Sequence, residues 1–226
     1  MNTNEKHHPD LLLKSNPWKG GESKKLIAIG ASTGGVDAIA KVLEALPRDL
    51  PPIVITQHIP GNFSTSFAQR LNRISKLDVY EVREKIVLND SCAYLAAGGF
   101  HMILGRGHND YYASPQEGIR ISRHCPSVDV MFRSVNNIAG KNALAIIMTG
   151  MGDDGSIGIK ELYDNGAYTI AQDEASCVVF GMPKQAIAKG AICEVVSLDS
   201  MVDKILSFAA GNLKRFHKEE SSGENG

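Results

Sequence analysis

The stretch from Leu26 to Val36 constrains the fold of this chain more than any other. It begins as an apolar run typical of a buried strand, breaks at a glycine-rich turn, and continues directly into a helical pattern. The turn, Gly30-Ala31-Ser32-Thr33-Gly34, fits the G-x-S-x-G pattern of a sharp strand-to-helix connection. Because glycines let backbone segments approach closely, we expect Ser32 at the carboxyl end of a strand, beside the free N–H groups of a helix start.

This turn has three interpretations. Ser32 can be a nucleophile, because the N–H groups at a helix start can stabilise a developing oxyanion. It can equally be the N-cap of the helix, a position that serine favours for structural reasons alone. A third interpretation is phosphate or nucleotide binding, but the chain has neither a Walker lysine nor a G-x-G-x-x-G motif followed by an acidic residue.

Apolar periodicity along the rest of the chain predicts alternating strands and helices. The predicted strands are residues 25–29, 53–56, 78–83, 143–148, 168–171 and 191–196, with shorter pieces at 93–96, 102–104 and 118–122. The predicted helices are residues 36–46, 64–75, 128–139, 156–165 and 202–208. This order predicts an α/β fold with a doubly wound, mainly parallel sheet flanked by helices. We expect the short pieces to form an antiparallel hairpin region beside it.

Composition limits the classes of function. The 226 residues suffice for one α/β domain, and the formal net charge of −1 does not favour a nucleic-acid partner or a membrane surface. No apolar run approaches the ~20 residues of a membrane span, and the first residues lack the apolar core of a signal peptide. We therefore expect a cytoplasmic protein without membrane insertion. The four scattered cysteines, Cys92, Cys125, Cys177 and Cys193, are expected to be buried thiols.

The two ends of the chain differ from its middle. Residues 1–24 are polar and contain Pro9, Pro17 and the pair Gly20-Gly21, which predicts a flexible N-terminal arm. Residues 209–226 are rich in charge, which predicts a disordered C-terminal tail. The single predicted domain therefore spans residues 25–208.

Three loops follow strongly predicted buried strands, and each carries one polar residue that a hydrolase needs. Ser32, His58 and Asp154 would meet at the carboxyl edge of the sheet, where ligands bind in such folds. Ser32 would then be the nucleophile, His58 the base, and Asp154 the group that orients the imidazole. The chain order of serine, histidine and aspartate differs from the order in α/β-hydrolases, which argues against that fold.

Each of these residues has a structural alternative. His58 can be a satisfied histidine at a strand end, and Asp154 can cap the helix predicted from residue 156. Spacing alone does not separate Asp153 from Asp154. Met151 can either present its backbone N–H to the site or fill a gap in the core with its side chain.

Several motifs together resemble the catalytic domain of the CheB-type chemotaxis protein-glutamate methylesterases. The segments that carry the resemblance are Gly30-Ala31-Ser32-Thr33-Gly34-Gly35, Gln57-His58-Ile59-Pro60, Ala96-Ala97-Gly98-Gly99-Phe100-His101-Met102, Pro126-Ser127-Val128-Asp129-Val130-Met131-Phe132 and Thr149-Gly150-Met151-Gly152-Asp153-Asp154-Gly155. They follow one another in the order and with the spacings typical of that family, over roughly residues 25–208.

The resemblance implies a role for five residues. Ser32 corresponds to the nucleophile of the family, His58 to the base, and Asp154, rather than Asp153, to the third member of the triad. Met151 contributes a backbone donor to the oxyanion hole, and Thr33 is a supporting residue beside the nucleophile. The implied reaction is hydrolysis of glutamate γ-methyl esters on the cytoplasmic region of chemoreceptors, with release of methanol and without a metal or other cofactor. Deamidation of receptor glutamines by the same route is a further implied activity, and a monomer is the implied state.

One departure from the family concerns regulation. Family members usually carry an N-terminal receiver domain, and the ~24 residues before the first predicted strand leave no room for one. We therefore expect either a stand-alone esterase or a piece of a longer protein. A catalytically idle adaptor that docks on chemoreceptor arrays is the alternative function. The sequence does not identify the receptor, the modified glutamates or the regulatory signal.

Overall fold

A seven-stranded parallel sheet forms the centre of the fold in the computed structural model, which describes residues 5–21, 23–108 and 110–213. The strands are β1 (Leu26–Ala31), β2 (Ile53–Gln57), β3 (Asp78–Val82), β4 (Ile86–Val87), β5 (Cys92–Ala96), β6 (His101–Arg106), β7 (Tyr111–Gln116), β8 (Ala143–Ile147), β9 (Tyr168–Gln172) and β10 (Glu194–Val196). The main sheet has the order β10-β9-β8-β1-β2-β5-β3, and all neighbouring strands in it are parallel. Strands β4, β7 and β6 form a separate antiparallel sheet.

Helices cover both faces of the main sheet. They are α1 (Gly35–Ala45), α2 (Gly61–Ile74), α3 (Val128–Ile138), α4 (Ser156–Asp164), α5 (Met182–Ala188) and α6 (Met201–Ala209). Helices α1, α2 and α6 pack with one face, and helices α3, α4 and α5 with the other. Successive side chains of β1 alternate between the two cores, as the pleat of a strand requires. Burial on both faces explains why β1 and β8 are apolar along their whole length.

The predicted fold class is confirmed, and the antiparallel region lies where it was expected. Three local predictions were wrong. Residues 118–122 do not form a strand, because Ile121 makes only isolated bridges to His7 and His124. The third strand of the small sheet is instead β7, which pairs with β6. The piece at residues 93–96 belongs to the parallel sheet as β5, and helix α5 was not predicted at all.

The N-terminal segment lies against the domain instead of forming a free arm over residues 6–18. The fully buried guanidinium of Arg133, on α3, binds the carboxylate of Asp10 and donates to the Leu13 carbonyl oxygen at 2.9 Å. The backbone N–H of Trp18 donates to the Asn136 backbone carbonyl oxygen, also at 2.9 Å. The segment therefore packs alongside α3. Near the beginning of the segment, Lys6 forms an ion pair with Asp153.

Three further expectations concern the tail, the membrane and the thiols. Most of the predicted disordered tail, residues 214–226, lies outside the described residues. Among the helices that the structure describes, none combines the length and apolarity required to cross a membrane. All four cysteines are free thiols. Only Cys92, the first residue of β5, is buried, whereas the other three lie in loops and are partly exposed.

Candidate active site

Three neighbouring strands of the sheet, β8, β1 and β2, carry the three predicted site residues on the loops that follow them. Ser32 comes directly after β1, His58 directly after β2, and Asp154 in the loop after β8. Backbone hydrogen bonds continue the ladder past the strands. The Ser32 N–H donates to the Thr149 carbonyl oxygen at 2.9 Å, and the His58 N–H donates to the Ala31 carbonyl oxygen at 3.1 Å. The three loops are therefore held side by side at the carboxyl edge of the sheet.

The turn at Ser32 is fixed by close packing. A Cβ atom on Gly30 would lie 2.2 Å from a methyl group of Val128, so this position of β1 has room only for glycine. Helix α1 has Gly34 as its N-cap, with φ at +82°, and no side chain caps it. Ser32 is therefore not a helix cap, and its hydroxyl is not committed to a structural hydrogen bond among the residues described.

His58 and Asp154 form a direct side-chain pair. The Nε2 atom of His58 lies 2.7 Å from a carboxylate oxygen of Asp154, and both side chains are almost completely shielded from solvent. The other ring nitrogen of His58, Nδ1, is also buried, and no hydrogen-bond partner for it exists in the described part of the protein. One nitrogen is thus bound by a carboxylate, and the other is left unpaired.

Helix α3 stabilises the carboxylate of Asp154. Its oxygens accept hydrogen bonds from the Val128 N–H at 2.8 Å, from the Asp129 N–H at 2.9 Å and from the Ser127 hydroxyl at 2.8 Å. Burial by itself raises the pKa of Asp154, but the hydrogen bond and charge of His58, together with the backbone donors, lower the pKa overall. Asp154 is therefore an anion held at the positive end of α3, and it does not cap α4.

Asp129 accepts hydrogen bonds from the N-terminus of α4, as Asp154 does from the N-terminus of α3. Its side chain accepts hydrogen bonds from the N–H groups of Ile157 and Gly158, each at 2.9 Å, and from the Ser122 hydroxyl at 2.7 Å. Burial, followed by the charge of Asp154, raises the pKa of Asp129 to about 8. Of the two adjacent buried carboxyl groups, Asp154 thus carries the negative charge at neutral pH and Asp129 carries a proton.

The structure separates Asp153 from Asp154, which the spacing could not do. Asp153 makes no contact with His58 that the structure records and forms ion pairs with Lys6 and Arg123. Its neighbour Asp154 is fully buried against His58. Only Asp154 can therefore orient the imidazole.

Two backbone N–H groups beside Ser32 are unpaired. Neither the Thr33 N–H nor the Met151 N–H donates to an acceptor in the described residues. The loop that contains Met151 packs directly on the serine, since a Cβ atom on Gly150 would lie 2.7 Å from Cβ of Ser32. The Met151 side chain is 65% exposed and so does not fill a gap in the core.

His124 is a member of the site that the sequence reasoning missed. Its ring stacks on that of His58, with centroids 3.6 Å apart and the planes 9° from parallel. Burial and then the charge of His58 lower the pKa of His124 to about 4, so this second ring is neutral at physiological pH. His124 lies in an irregular segment without periodicity, and its only signal is its position two residues before the motif that begins at Pro126.

A cavity of about 320 Å³ opens beside His58. Residues 58–60 line one side of it, and Arg120 together with residues 123–126 lines the other. A second cavity, of about 420 Å³, lies at the opposite edge of the sheet, between Lys25 and Asp49, away from these residues. Within the described ranges, no cluster of three or more histidine, cysteine, aspartate or glutamate side chains could hold a metal ion.

Comparison with known proteins shows extensive similarity. The family model described as CheB methylesterase matches residues 27–205. The chain is 47% identical over 204 residues to protein-glutamate methylesterase/protein-glutamine glutaminase 3 of Shewanella oneidensis, which covers 90% of this chain and 57% of that protein. It is 49% identical over 205 residues to the protein-glutamate methylesterase/protein-glutamine glutaminase of Methylobacillus flagellatus, with 91% and 57% covered. The chain thus spans 57% of the length of each of these relatives.

A solved structure matches the fold itself. The crystal structure of the Thermotoga maritima CheB methylesterase catalytic domain superposes on this chain with a TM-score of 0.80 and 33% sequence identity. The match covers 82% of this chain and 99% of the Thermotoga domain. The whole solved domain therefore has a counterpart here.

Proposed function

Because the chain belongs to the CheB methylesterase family, we propose that it is a serine hydrolase that removes methyl groups from glutamate γ-methyl esters of chemoreceptors. The substrate would be the cytoplasmic region of the receptor, and the products methanol and a carboxylate. The names of the two relatives also support deamidation of receptor glutamines. The observation that carries the proposal is the 2.7 Å pair of His58 and Asp154 beside the strand end that holds Ser32.

Hydrogen bonding determines which nitrogen of His58 acts as the base. The ionised Asp154 can only accept, so Nε2 of His58 carries the hydrogen that is shared with it. In the neutral imidazole, Nδ1 then has a free lone pair, and this is the nitrogen without a structural partner. Nδ1 would take the proton of the Ser32 hydroxyl as its oxygen attacks the ester carbonyl. Asp154 would stabilise the imidazolium that forms.

The two unpaired N–H groups supply the oxyanion hole. When Ser32 attacks, the carbonyl oxygen of the ester gains negative charge and needs donors that are already in place. The N–H groups of Thr33 and Met151 are available for this, because neither is used within the described part of the protein. Loss of one such donor costs about 10²–10³ in rate in other hydrolases.

Three further proton transfers complete the reaction. The tetrahedral intermediate collapses to an acyl-enzyme at Ser32, and the imidazolium of His58 protonates the departing methoxide to methanol. Water then attacks the acyl group, and His58 accepts its proton and returns it to the Ser32 oxygen. With a glutamine side chain in place of the ester, the same sequence releases ammonia. No step needs a metal ion.

The test is release of methanol from methylated chemoreceptor membranes. We expect the wild type to release methanol and Ser32→Ala to release none above background, while circular dichroism shows the same fold for both. Ser207→Ala is the matched control. Ser207 lies near the end of α6, where the Phe208 and Ala209 carbonyl oxygens bind Lys25 at the opposite edge of the sheet, and its hydroxyl has no structural partner among the described side chains.

Two outcomes would contradict the proposal. Undiminished release by Ser32→Ala would exclude Ser32 as the nucleophile. No release by the folded wild type from receptors that a known methylesterase demethylates would contradict the hydrolase function itself. Binding to receptor arrays in that second case would identify an adaptor.

A further inference from the structure

The cavity beside His58 is lined by one cation, Arg120, that has no counter-ion among the residues described. Arg120 lines this cavity and is exposed, and its guanidinium makes no hydrogen bond or ion pair with any part of the protein that the structure describes. Its charge nevertheless acts on the site. It is one of the charges that lower the pKa of His124, and it opposes the burial that raises the pKa of the Cys125 thiol.

The other titratable groups around the cavity do not neutralise Arg120. Arg123 is bound to Asp153, and Asp153 is shared with a third cation, Lys6. The buried carboxylate of Asp154 is engaged by His58 and by the start of α3. His124 and Cys125 are both neutral at physiological pH, because the pKa of the imidazole is about 4 and the pKa of the thiol is raised. The mouth of the cavity is therefore positive.

A neutral ester does not account for this charge. The methyl ester group carries no charge, so it gains little from a guanidinium at the mouth of the site. A guanidinium presents several N–H donors in a planar fork that matches a carboxylate. An unpaired, solvated arginine beside a hydrolytic site is therefore suited to bind an acidic side chain that arrives on the same substrate segment as the ester.

We propose that Arg120 binds a carboxylate of the substrate protein that lies beside the glutamyl ester, and that Arg120 is in this way a specificity-determining residue. This inference rests on the proposed function. Arg120 takes no part in the chemistry at Ser32. It selects ester groups that lie in acidic segments over those that lie in uncharged ones.

The kinetic test uses methanol release at varied concentrations of methylated receptor membranes. We expect Arg120→Gln to raise KM about 10-fold and to leave kcat within about twofold, because the lost contact is one exposed charge-assisted hydrogen-bond pair. Arg120→Lys should recover only part of the affinity, since it keeps the charge but loses the fork. Arg73→Gln is the matched control. It removes the same charge from an exposed position in the last turn of α2, and we expect it to behave as the wild type.

A binding measurement separates this inference from the proposed function. Fluorescence anisotropy compares two labelled helical peptides that differ only by replacement of their glutamates with glutamines. The wild type should bind the acidic peptide more tightly, with an affinity that falls as salt is added, and Arg120→Gln should bind both peptides alike. That result supports the carboxylate subsite even if the wild type releases no methanol. The carboxylate subsite is contradicted if Arg120→Gln leaves KM unchanged and the variant still prefers the acidic peptide.

Discussion

At the scale of single residues, the central feature of the site is a pair of buried carboxyl groups with opposite protonation. Asp154 is stabilised as an anion by His58 and by the N–H groups of Val128 and Asp129. Asp129 follows Val128, the first residue of α3, and its side chain keeps its proton up to about pH 8. Two like charges this close would repel in a medium of low dielectric constant, so one of the two groups must be neutral. The hydrogen bond and charge of His58 determine which one, because each carboxyl group accepts two N–H groups from a helix start but only Asp154 is paired with the imidazole.

Replacing Asp129 with asparagine tests this assignment through the pH dependence of stability. In the unfolded chain this carboxyl group ionises near its ordinary pKa of 3.8, whereas in the folded protein it ionises only near pH 8. Between these values the folded state binds the extra proton, so the contribution of Asp129 to stability falls as pH rises. The asparagine amide of the variant would resemble the protonated acid and would not titrate.

We therefore expect Asp129→Asn to gain stability relative to the wild type as pH rises from about 4 to 8. Urea unfolding at several pH values in this range measures the difference in free energy. If the difference between the two proteins is constant across the range, Asp129 is ionised in the folded protein and the assignment is wrong.

At the scale of secondary structure elements, the packing of α3 on α4 determines where Asp154 lies. Each helix receives at its N-terminus a carboxyl group from the other segment, Asp154 for α3 and Asp129 for α4. The axes approach closely at Gly158, where a Cβ atom would lie 2.7 Å from Cβ of Phe132 and 2.8 Å from the carbonyl oxygen of Asp129. The geometry of the site thus depends on a small residue in the contact.

Gly158→Ala should destabilise the protein although alanine is the better helix former. The propensity gain is about 1 kcal/mol, whereas overpacking against backbone costs about 1–3 kcal/mol. Because the neighbouring carbonyl group cannot rotate away, we expect a net loss of up to about 2 kcal/mol in the free energy of unfolding measured with urea, together with reduced methanol release.

Gly21→Ala provides the matched control for this substitution. A Cβ atom on Gly21 would meet no atom within 4 Å, so the free energy of unfolding should change by no more than about 0.5 kcal/mol. Equal stability of the two alanine variants would show that α3 and α4 can separate without cost.

At the scale of the whole molecule, residues 6–18, which precede β1, are part of the folded structure. Its strongest contact is the ion pair between Asp10 and Arg133, whose guanidinium is buried on α3 and also binds Glu161 on α4. The same segment pairs with the site loop through Lys6 and Asp153. It therefore connects the helix pair to the loop that carries Asp154.

Asp10→Asn should weaken this attachment. The substitution leaves the buried guanidinium of Arg133 with one charged partner fewer. We therefore expect the free energy of unfolding to fall by about 1.5 kcal/mol and proteases to cleave faster before β1. Asp199→Asn is the control, because Asp199 and its partner Lys41 are both exposed and such pairs contribute about 0–1 kcal/mol. If the two variants are cleaved at the same rate, the contact of Asp10 with Arg133 does not hold the N-terminal segment against the domain.

The sequence was informative wherever short-range pattern determines structure. Strands β1 and β8 are continuous apolar runs, and the edge at which Ser32, His58 and Asp154 meet follows from the rule that parallel strands end together. Strand β7 was missed because Pro115 interrupts it, and α5 because Pro183 near its start resembles a breaker. His124 and the partner of Arg133 could not be predicted, since both depend on contacts between segments distant in sequence.

The strand order has a consequence for the synthesis of the protein. Ser32 and His58 leave the ribosome before β8 (Ala143–Ile147) does, although β1 lies between β2 and β8 in the sheet. Until that later strand has emerged, one side of β1 is an unpaired apolar edge of the kind that promotes association between chains. A nascent chain that stops before β8 holds two of the three site residues and cannot yet assemble the site. Completion of the centre of the sheet and assembly of the site therefore both await the synthesis of β8 and the loop that follows it.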